Sequence, residues 1–338
     1  MQRVTIATLA ERLGVSKASV SYALNGQPGV SEQTRQRVVA LANELGWHPS
    51  SSARALSRQR ADAIGMVLRR DPALLGTEPY YMRLLEGVES ALSEAGQSLL
   101  LRMVGTAPGR DIAVYERWAA ERRVDGVIVL DRSADDTRPE QLQRLGLPFV
   151  LHGVLPADEA AGQADERIEN QHRDAEMLVA HLAELGHARI AHVTGPMHLS
   201  HELDRMAAVR RESAERGMTA VFAEADYTFD TAHAQAAQLI AASARPTAII
   251  CSNDVMALGT LRALDEAGLS DSVALLSWDD SMLCQFASPS ISALERFPDR
   301  QGRRSAQMLL ELLDGKPFSS IEPSPSELRV RESSRRAA

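Results

Sequence analysis

Only two cysteines stand in the 338-residue chain, Cys251 and Cys284. They lie far apart, lack metal-site spacing and sit in apolar-leaning stretches. That reads as two buried free thiols rather than a disulfide framework. No apolar run approaches the roughly 20 residues of a membrane-spanning helix. The start, Met1-Gln2-Arg3-Val4-Thr5-Ile6, has no apolar signal core. The expected compartment is the cytoplasm, with no membrane partner. Gly-x-Ser-x-Gly, a Walker loop and Gly-x-Gly-x-x-Gly are all missing. Asp279-Asp280 are adjacent acids, but neighbours on a chain usually point apart, so a catalytic pair is a weak idea. The expectation is a non-enzyme without cofactor.

A net charge of −8 by itself argues against nucleic acid. The charge is uneven, however. Residues 1–60 hold eight Arg or Lys against three acids, a net of +5, which leaves −13 for the remainder. A basic head on an acidic body is the asymmetry of a DNA-binding module joined to something else. At this length two or three domains are expected.

The head is periodic from Thr5, with Ile6, Leu9, Ala10 and Leu13 on one helical face and Gly14 closing the helix. Ser16 caps a second helix. Its Val20 and Leu24 face inward; Lys17, Ala18, Ser21 and Tyr22 face outward. Small and polar outward residues let a helix enter a major groove, where Lys17 reaches a phosphate or a guanine edge. A third helix runs from N-cap Ser31 through Glu32 to Leu45 and stops at Gly46. Its Val38, Leu41, Ala42 and Leu45 roof the small core. After Trp47-His48-Pro49, the segment Ser50 to Arg60 is basic and has one large apolar residue, Leu56. One apolar anchor does not offset ordering entropy, so this segment is expected to fold only against nucleic acid.

From residue 61 the rhythm changes to strand and helix in alternation. Strands are expected at Ile64–Leu68, Ser98–Val104, Gly126–Leu130 and Phe149–Leu151, with helices at Tyr80–Ala95, Ile112–Arg122 and Glu140–Leu145 between them. Leu155 to Arg167 holds no clear element and reads as a crossing to a second lobe. There, helices at Asp174–Leu185, Glu202–Glu215, Thr231–Ala242 and Val255–Ala267 alternate with strands at Arg189–Thr194, Thr219–Ala223, Ala248–Cys251 and Val273–Trp278. A strand at Ile291–Leu294 and a helix at Gln301–Leu313 follow. Buried apolar strands alternating with amphipathic helices imply parallel sheets covered on both faces. Two such runs imply a bilobed clamshell.

The motifs Val4-Thr5-Ile6, Leu13-Gly14-Val15-Ser16, Leu24-Asn25-Gly26, Val30-Ser31 and Ala53-Arg54-Ala55-Leu56 resemble the head of the LacI/GalR (lactose-repressor) family of transcriptional regulators. Asn253-Asp254 with Met256-Ala257-Leu258-Gly259, Trp278-Asp279-Asp280 and Leu328-Arg329-Val330-Arg331 extend the resemblance over nearly the whole chain. It implies an all-α helix-turn-helix head (1–48) and a hinge helix or linker (49–60). The α/β bilobed core (61–338) is then periplasmic-binding-protein-like, with two parallel-sheet lobes: about 61–155 with 291–322, and about 156–290 with 323–338. It further implies that Thr5, Ser16, Lys17, Ala18, Ser21, Tyr22, Asn25, Ser31, Ala53, Arg54 and Leu56 meet double-stranded operator DNA, a near-palindrome. Leu56 would wedge into the minor groove at a central C-G step. Tyr22 stands where the family most often has Arg, and Ser50 where it usually has Asn.

A cleft for a polyol needs charged bidentate partners for hydroxyl pairs and an aromatic face. The resemblance turns Arg205, Asn253 and Asp279 toward a small effector, expected to be a carbohydrate, and sets Tyr80, Tyr81 and Tyr227 around it, with Trp278 in addition. Arg205 matches an Arg-x-x-Gly motif, although Ala208 replaces the Gly. Arg296 stands where the family often has Gln, and a second Arg suits an acidic or phosphorylated effector. His198 and His201 have no third ligand at metal spacing, so no metal is expected and His201 reads as a neutral hydrogen-bonding partner of the effector. The tail Glu332 to Ala338 has no leucine heptad, which favours a homodimer over a tetramer. The rival classes are a sugar-binding transport receptor and an α/β enzyme.

Overall fold

The head is held by reciprocal caps. In the computed structural model, which describes residues 4–24, 26–47, 60–70, 76, 78–107, 109–152, 165–317 and 325–334, Thr5 Oγ1 accepts the Thr8 N–H and Thr8 Oγ1 accepts the Thr5 N–H, both at 3.3 Å. This capping box starts α1 (Ile6–Leu13), and Gly14 ends it at φ 67°. Ser16 Oγ accepts the Ser19 N–H at 3.0 Å at the start of α2 (Lys17–Leu24), and Ser31 Oγ accepts the Thr34 N–H at 3.2 Å before α3 (Glu32–Glu44). Leu9, Ala10, Val20, Ala23, Val38 and Ala42 form the buried core. Leu24, expected inside, packs only partly against it, and Ala23 takes the interior place. Asn25 and the expected hinge, with Ala53, Arg54 and Leu56, lie outside the described residues.

Head and core are two compact units, Met1–Ala61 and Asp62–Ala338. The core holds two sheets. The first is all-parallel, in the order β2 (Ser98–Met103), β1 (Ala63–Leu68), β3 (Gly126–Val129), β4 (Phe149–Leu151). Strand alternation sends Ile64, Met66 and Ile128 to one face, against α4 (Pro79–Glu94), and Val67, Val127 and Val129 to the other, against α5 (Arg110–Glu121) and α6 (Arg138–Arg144).

The second sheet comprises β5 (Arg189–Thr194), β6 (Thr219–Glu224), β7 (Ala248–Cys251), β8 (Ala274–Ser277), β9 (Ser292–Glu295) and β10 (Glu327–Arg329), in the order β10-β9-β8-β7-β5-β6. Only β10 runs antiparallel, pairing Leu328 with Leu294. Around it stand α7 (Asp165–Glu184), α8 (Ser200–Glu215), α9 (Phe229–Ala241), α10 (Asp254–Glu266) and the short α11 (Met282–Phe286). Cys251 and Cys284 are free and buried; burial pushes the Cys251 thiol up to about 12.

Three expectations shift. The helix expected at Asp174–Leu185 begins at Asp165, inside the stretch expected to hold no element. Residues 292–295, expected in the first lobe, are β9 of the second sheet, so the crossing back falls at Arg296-Phe297. The following helix α12 (Pro298–Asp314) starts three residues before the expected Gln301 and packs on α4 and the first sheet. No helix among the described residues is long and apolar enough to cross a membrane.

The α4–α12 crossing is unusually close. A Cβ on Gly87 would lie 1.7 Å from Asp299 O, and one on Gly302 would lie 2.1 Å from Leu84 O. The obstacles are backbone, which has no rotamer to change. Gly302→Ala is therefore expected to cost about 1–3 kcal/mol of core stability, as overpacking does. Urea unfolding followed by circular dichroism checks this; an unchanged midpoint would mean that the two helices separate without cost.

Candidate functional site

The face expected to read DNA lies on α2. Lys17, Ala18 and Tyr22 are exposed and Ser21 is half-buried, while Val20 and Ala23 anchor the opposite face. Tyr22 lies over Gly29, at φ 118°, where an added Cβ would come within 3.2 Å of its ring. Thr5, Ser16 and Ser31 serve as helix caps and stay exposed, leaving each hydroxyl at a helix N-terminus, where phosphates are favoured.

The core contains a cavity of about 240 Å³. Its walls follow the carboxyl ends of strands in both sheets: Arg70 after β1, Asp131 after β3, His152 after β4, Tyr227 after β6, Asn253 after β7 and Asp279 after β8. Open α/β sheets bind ligands there. The two lobes also touch by backbone: Ser133 bridges Leu199, and the Ser200 N–H donates to Arg132 O at 2.8 Å.

On the second-lobe wall a buried carboxylate, Glu202, collects four donors. Arg205 Nη1 and the Tyr227 hydroxyl, each at 2.9 Å, donate to Oε1. The Ser252 hydroxyl at 2.7 Å and the Gly195 N–H at 2.8 Å donate to Oε2. Burial alone would raise the Glu202 pKa; Arg205 foremost overcomes it and holds it at about 2. Arg205 is further fixed by Gln171 Oε1 at 2.9 Å and Ser252 O at 3.1 Å. The Tyr227 proton goes to Glu202, so the His201 Nε2–H donates to Tyr227 Oη at 2.7 Å. Burial, then Arg205, pushes the His201 pKa down to about 3, leaving a neutral ring with Nδ1 as acceptor. His192 is likewise pushed down to about 4 by burial, and its Nε2 stands 3.0 Å from Ser252 Oγ.

On the first-lobe wall, Arg70 Nη2 donates to Tyr81 Oη at 2.7 Å, and Tyr81 donates to Asp131 Oδ1 at 2.6 Å. Arg70 stands over both the Tyr81 and Tyr227 rings, at 4.9 and 4.7 Å, so it joins the lobes. Tyr80 donates to Gln301 Oε1 at 3.1 Å and faces Arg296. Arg296 is spent on Asp279: Nε and Nη2 lie 3.0 and 2.7 Å from Oδ1.

Eight of the nine expected effector residues line the cavity: Tyr80, Tyr81, His201, Arg205, Tyr227, Asn253, Asp279 and Arg296. Trp278 does not. It is fully buried, its ring stacked on His192 at 5.5 Å and covered by Arg205 at 4.8 Å, so it backs the wall instead of forming it. Asn253 also caps α10, accepting the Met256 N–H at 2.7 Å. Sequence reasoning missed Arg70, Glu78, Asp131 and Asp254, which line the cavity, and Glu202 behind it. His198 is exposed and lines nothing here, and no group of three metal-ligating side chains occurs among the described residues.

A family model for bacterial regulatory proteins of the lacI family matches residues 5–50, and one for a periplasmic binding protein-like domain matches residues 179–334. The HTH-type transcriptional regulator CelR of Thermobifida fusca is 29% identical, covering 98% of both chains. The HTH-type transcriptional repressor PurR of Vibrio atlanticus is 30% identical over 92% of both. The solved CelR–cellobiose complex is 27% identical, with a TM-score of 0.69, and covers 98% of this chain and all of that one. The chain belongs to the lacI family of DNA-binding transcriptional regulators.

Asp254 is the second-lobe carboxyl whose protonation falls near neutral pH. Burial, then the charge of Asp279, raises its pKa from an ordinary 3.8 to about 7. Raised above its unfolded value, the carboxyl binds its proton more tightly in the folded state. The stability it contributes is complete below about pH 4 and is lost as pH rises through about 7. Asp254→Asn is therefore expected to melt a few degrees above the unliganded wild type at pH 8 and level with it near pH 4, with the gap opening between the two. Thermal unfolding at the two pH values checks this; an identical difference at both would exclude Asp254 as the titrating group.

Proposed function

We propose that this regulator is a repressor, that it binds a near-palindromic operator as a homodimer, and that a small carbohydrate or carbohydrate derivative in the core cavity controls it. The observation that carries the reading is the cavity itself. At about 240 Å³ it falls near the small end of ligand pockets (~300–1,000 Å³), which suits one or two sugar rings. Tyrosine rings and paired polar groups are what a sugar's faces and hydroxyls require. The CelR–cellobiose complex, with a sugar as its partner, supports the same class.

Control works by population shift. Half of the cavity comes from each lobe, so an effector that contacts both favours one lobe arrangement over the other. That arrangement sets the spacing of the two hinge segments of a dimer, and so whether two recognition helices reach successive major grooves. A non-enzymatic, cytoplasmic role fits this reading. The dimer is favoured by α11, which exposes Met282 (69%) and Phe286 (81%) one helical turn apart. Large apolar side chains left in water at that spacing mark an interaction face.

DNA selected by the protein from a randomised pool supplies the operator for the tests. Arg205→Ala is expected to retain operator affinity and lose the effector response. A buried charged donor is worth roughly 1.5–3 kcal/mol, which means effector binding weaker by roughly tenfold or more. Operator release in fluorescence anisotropy reads it; a wild-type response would remove Arg205 from the site.

Phe286→Glu is expected to turn a dimer into a monomer in light scattering at micromolar concentration. An unchanged dimer mass would place the interface elsewhere.

A further inference from the structure

The buried charges lining the cavity do not balance. Five carboxylates line it, Glu78, Asp131, Asp174, Asp254 and Asp279, beside the buried guanidiniums of Arg205 and Arg296 and the largely covered one of Arg70. Arg205 is already engaged by Glu202, which lies behind the wall. Arg296 holds Asp279 at 2.7 Å, and Arg70 is shared between Asp131 at 3.3 Å and Glu78 at 3.4 Å. Asp254 forms no salt bridge among the described residues. It is 1% exposed, its Oδ1 accepts the adjacent Val255 N–H at 2.9 Å, and its Oδ2 accepts no well-formed hydrogen bond, although the Ser281 hydroxyl lies close enough to ease its charge in part. The start of α10 favours a carboxylate there, but a helix terminus carries only about half a charge. Glu78, 5% exposed, comes from the opposite lobe and lies within electrostatic reach of Asp254 and Asp279. Asp174, 4% exposed and also without a salt bridge among the described residues, is eased by Arg296 and the Ser326 hydroxyl. Asp254 and Glu78 remain poorly compensated and face one cavity from its two sides, in a setting that penalises unpaired charge.

Resting on the proposal that this cavity binds a carbohydrate effector, we infer that the effector carries a protonated amine, seated against Asp254 and Glu78. It belongs to the amino sugars or related polyhydroxylated amines. An ammonium donates three hydrogen bonds and accepts none, which matches Asp254 Oδ2 and the weakly held Glu78. Burial, mainly, pushes both carboxyls up to about 7; an ammonium would restore their charge by pairing with it. Binding on both sides also ties the lobes together, as an effector must.

The competing chemistry is anionic, because Arg132, Arg300 and Arg304 also line the cavity. Arg300 is solvent-exposed and stacks on Phe297 at 4.2 Å, and the other two are half-buried. Arg300 is screened by water and Arg132 and Arg304 partly so, whereas Asp254 is not. Arg296, the residue that suited an acidic effector on sequence grounds, is neutralised by Asp279.

Isothermal titration calorimetry at pH 7 tests the inference with D-glucosamine, D-glucose, N-acetyl-D-glucosamine and D-glucose 6-phosphate. The glucosamine disaccharide is compared with cellobiose in the same way. Wild-type protein is expected to bind the free amine at least tenfold more tightly than the neutral, acetylated and phosphorylated counterparts. Asp254→Asn is expected to bring the amine-to-neutral ratio close to one, and Glu78→Gln to narrow it. N-acetyl-D-glucosamine keeps the ring and removes the charge, so the wild-type comparison stands even if a variant fails to fold. A wild type that binds glucose, cellobiose or the phosphate as tightly as the amine overturns the amine and leaves the carbohydrate reading standing. An amine preference retained in Asp254→Asn overturns the assigned seat. If no sugar of the set binds, the carbohydrate reading fails, and the inference with it.

Discussion

Glu202 is the fixed point of the cavity. A carboxylate with no exposed surface is tolerated only when its lone pairs are filled, and the four donors on Glu202 arrive from four places: the ends of β5, β6 and β7 and the next turn of α8. One buried charge thus sets the positions of Tyr227, Ser252 and Arg205 together. Gly195 belongs to the same arrangement, because a Cβ there would lie 2.2 Å from the Tyr227 ring. Arg205, held on four sides, lays its guanidinium over Trp278, which in turn stacks on His192. Removing either partner of such a buried pair costs more than the pair itself contributes, since the survivor remains charged and dry.

The backbone is strained in the same region. Asp131, His152, Tyr227 and Phe297 have positive φ, at 48°, 34°, 69° and 51°. Three of them line the cavity within three residues of a strand's end, and the fourth is the crossing residue that follows Arg296. Each such residue costs of order 1–3 kcal/mol and persists only where the surroundings overdetermine it. Here the hydrogen-bonded side chains supply that constraint. The Asp131 carboxylate takes the Tyr81 proton, and the Tyr227 hydroxyl is fixed between His201 and Glu202.

How much of this the sequence discloses depends on the range of the interaction. Helix and strand identity follow from local periodicity, so alternation alone yields both lobes and most element positions. The first turns of α7 escape because Asp165 to Arg173 is nearly all polar; a helix without an apolar stripe leaves no periodic signal. The antiparallel β10 escapes because three residues after a Ser/Pro-rich stretch show no alternation. In the cavity, Arg205, Asn253 and Asp279 are legible through motifs. Arg70, Glu78 and Glu202 are not: their partners are distant in sequence, and a charged side chain at a strand or helix end usually points to water. Trp278 misleads for the complementary reason. Its motif places it beside Asp279, but strand alternation turns neighbours to opposite sides.

The proposed control requires that effector binding distinguish two arrangements of the same lobes, because a ligand with equal affinity for both shifts nothing. The division of the cavity meets this requirement. Tyr81, Asp131 and Glu78 belong to the first lobe; Tyr227, Asp254 and Asp279 belong to the second. Arg70 bridges them only while its guanidinium lies over the rings of Tyr81 and Tyr227 together. The backbone pairing of Ser133 with Leu199 holds the lobes together at a second point. A ligand that satisfies Asp254 from one side and Glu78 from the other loses half of its partners when the lobes part. Its differential affinity is then the stability of those lost contacts, a few kcal/mol for charge-assisted hydrogen bonds. That is the scale on which a minor conformer of a two-state protein becomes the major one.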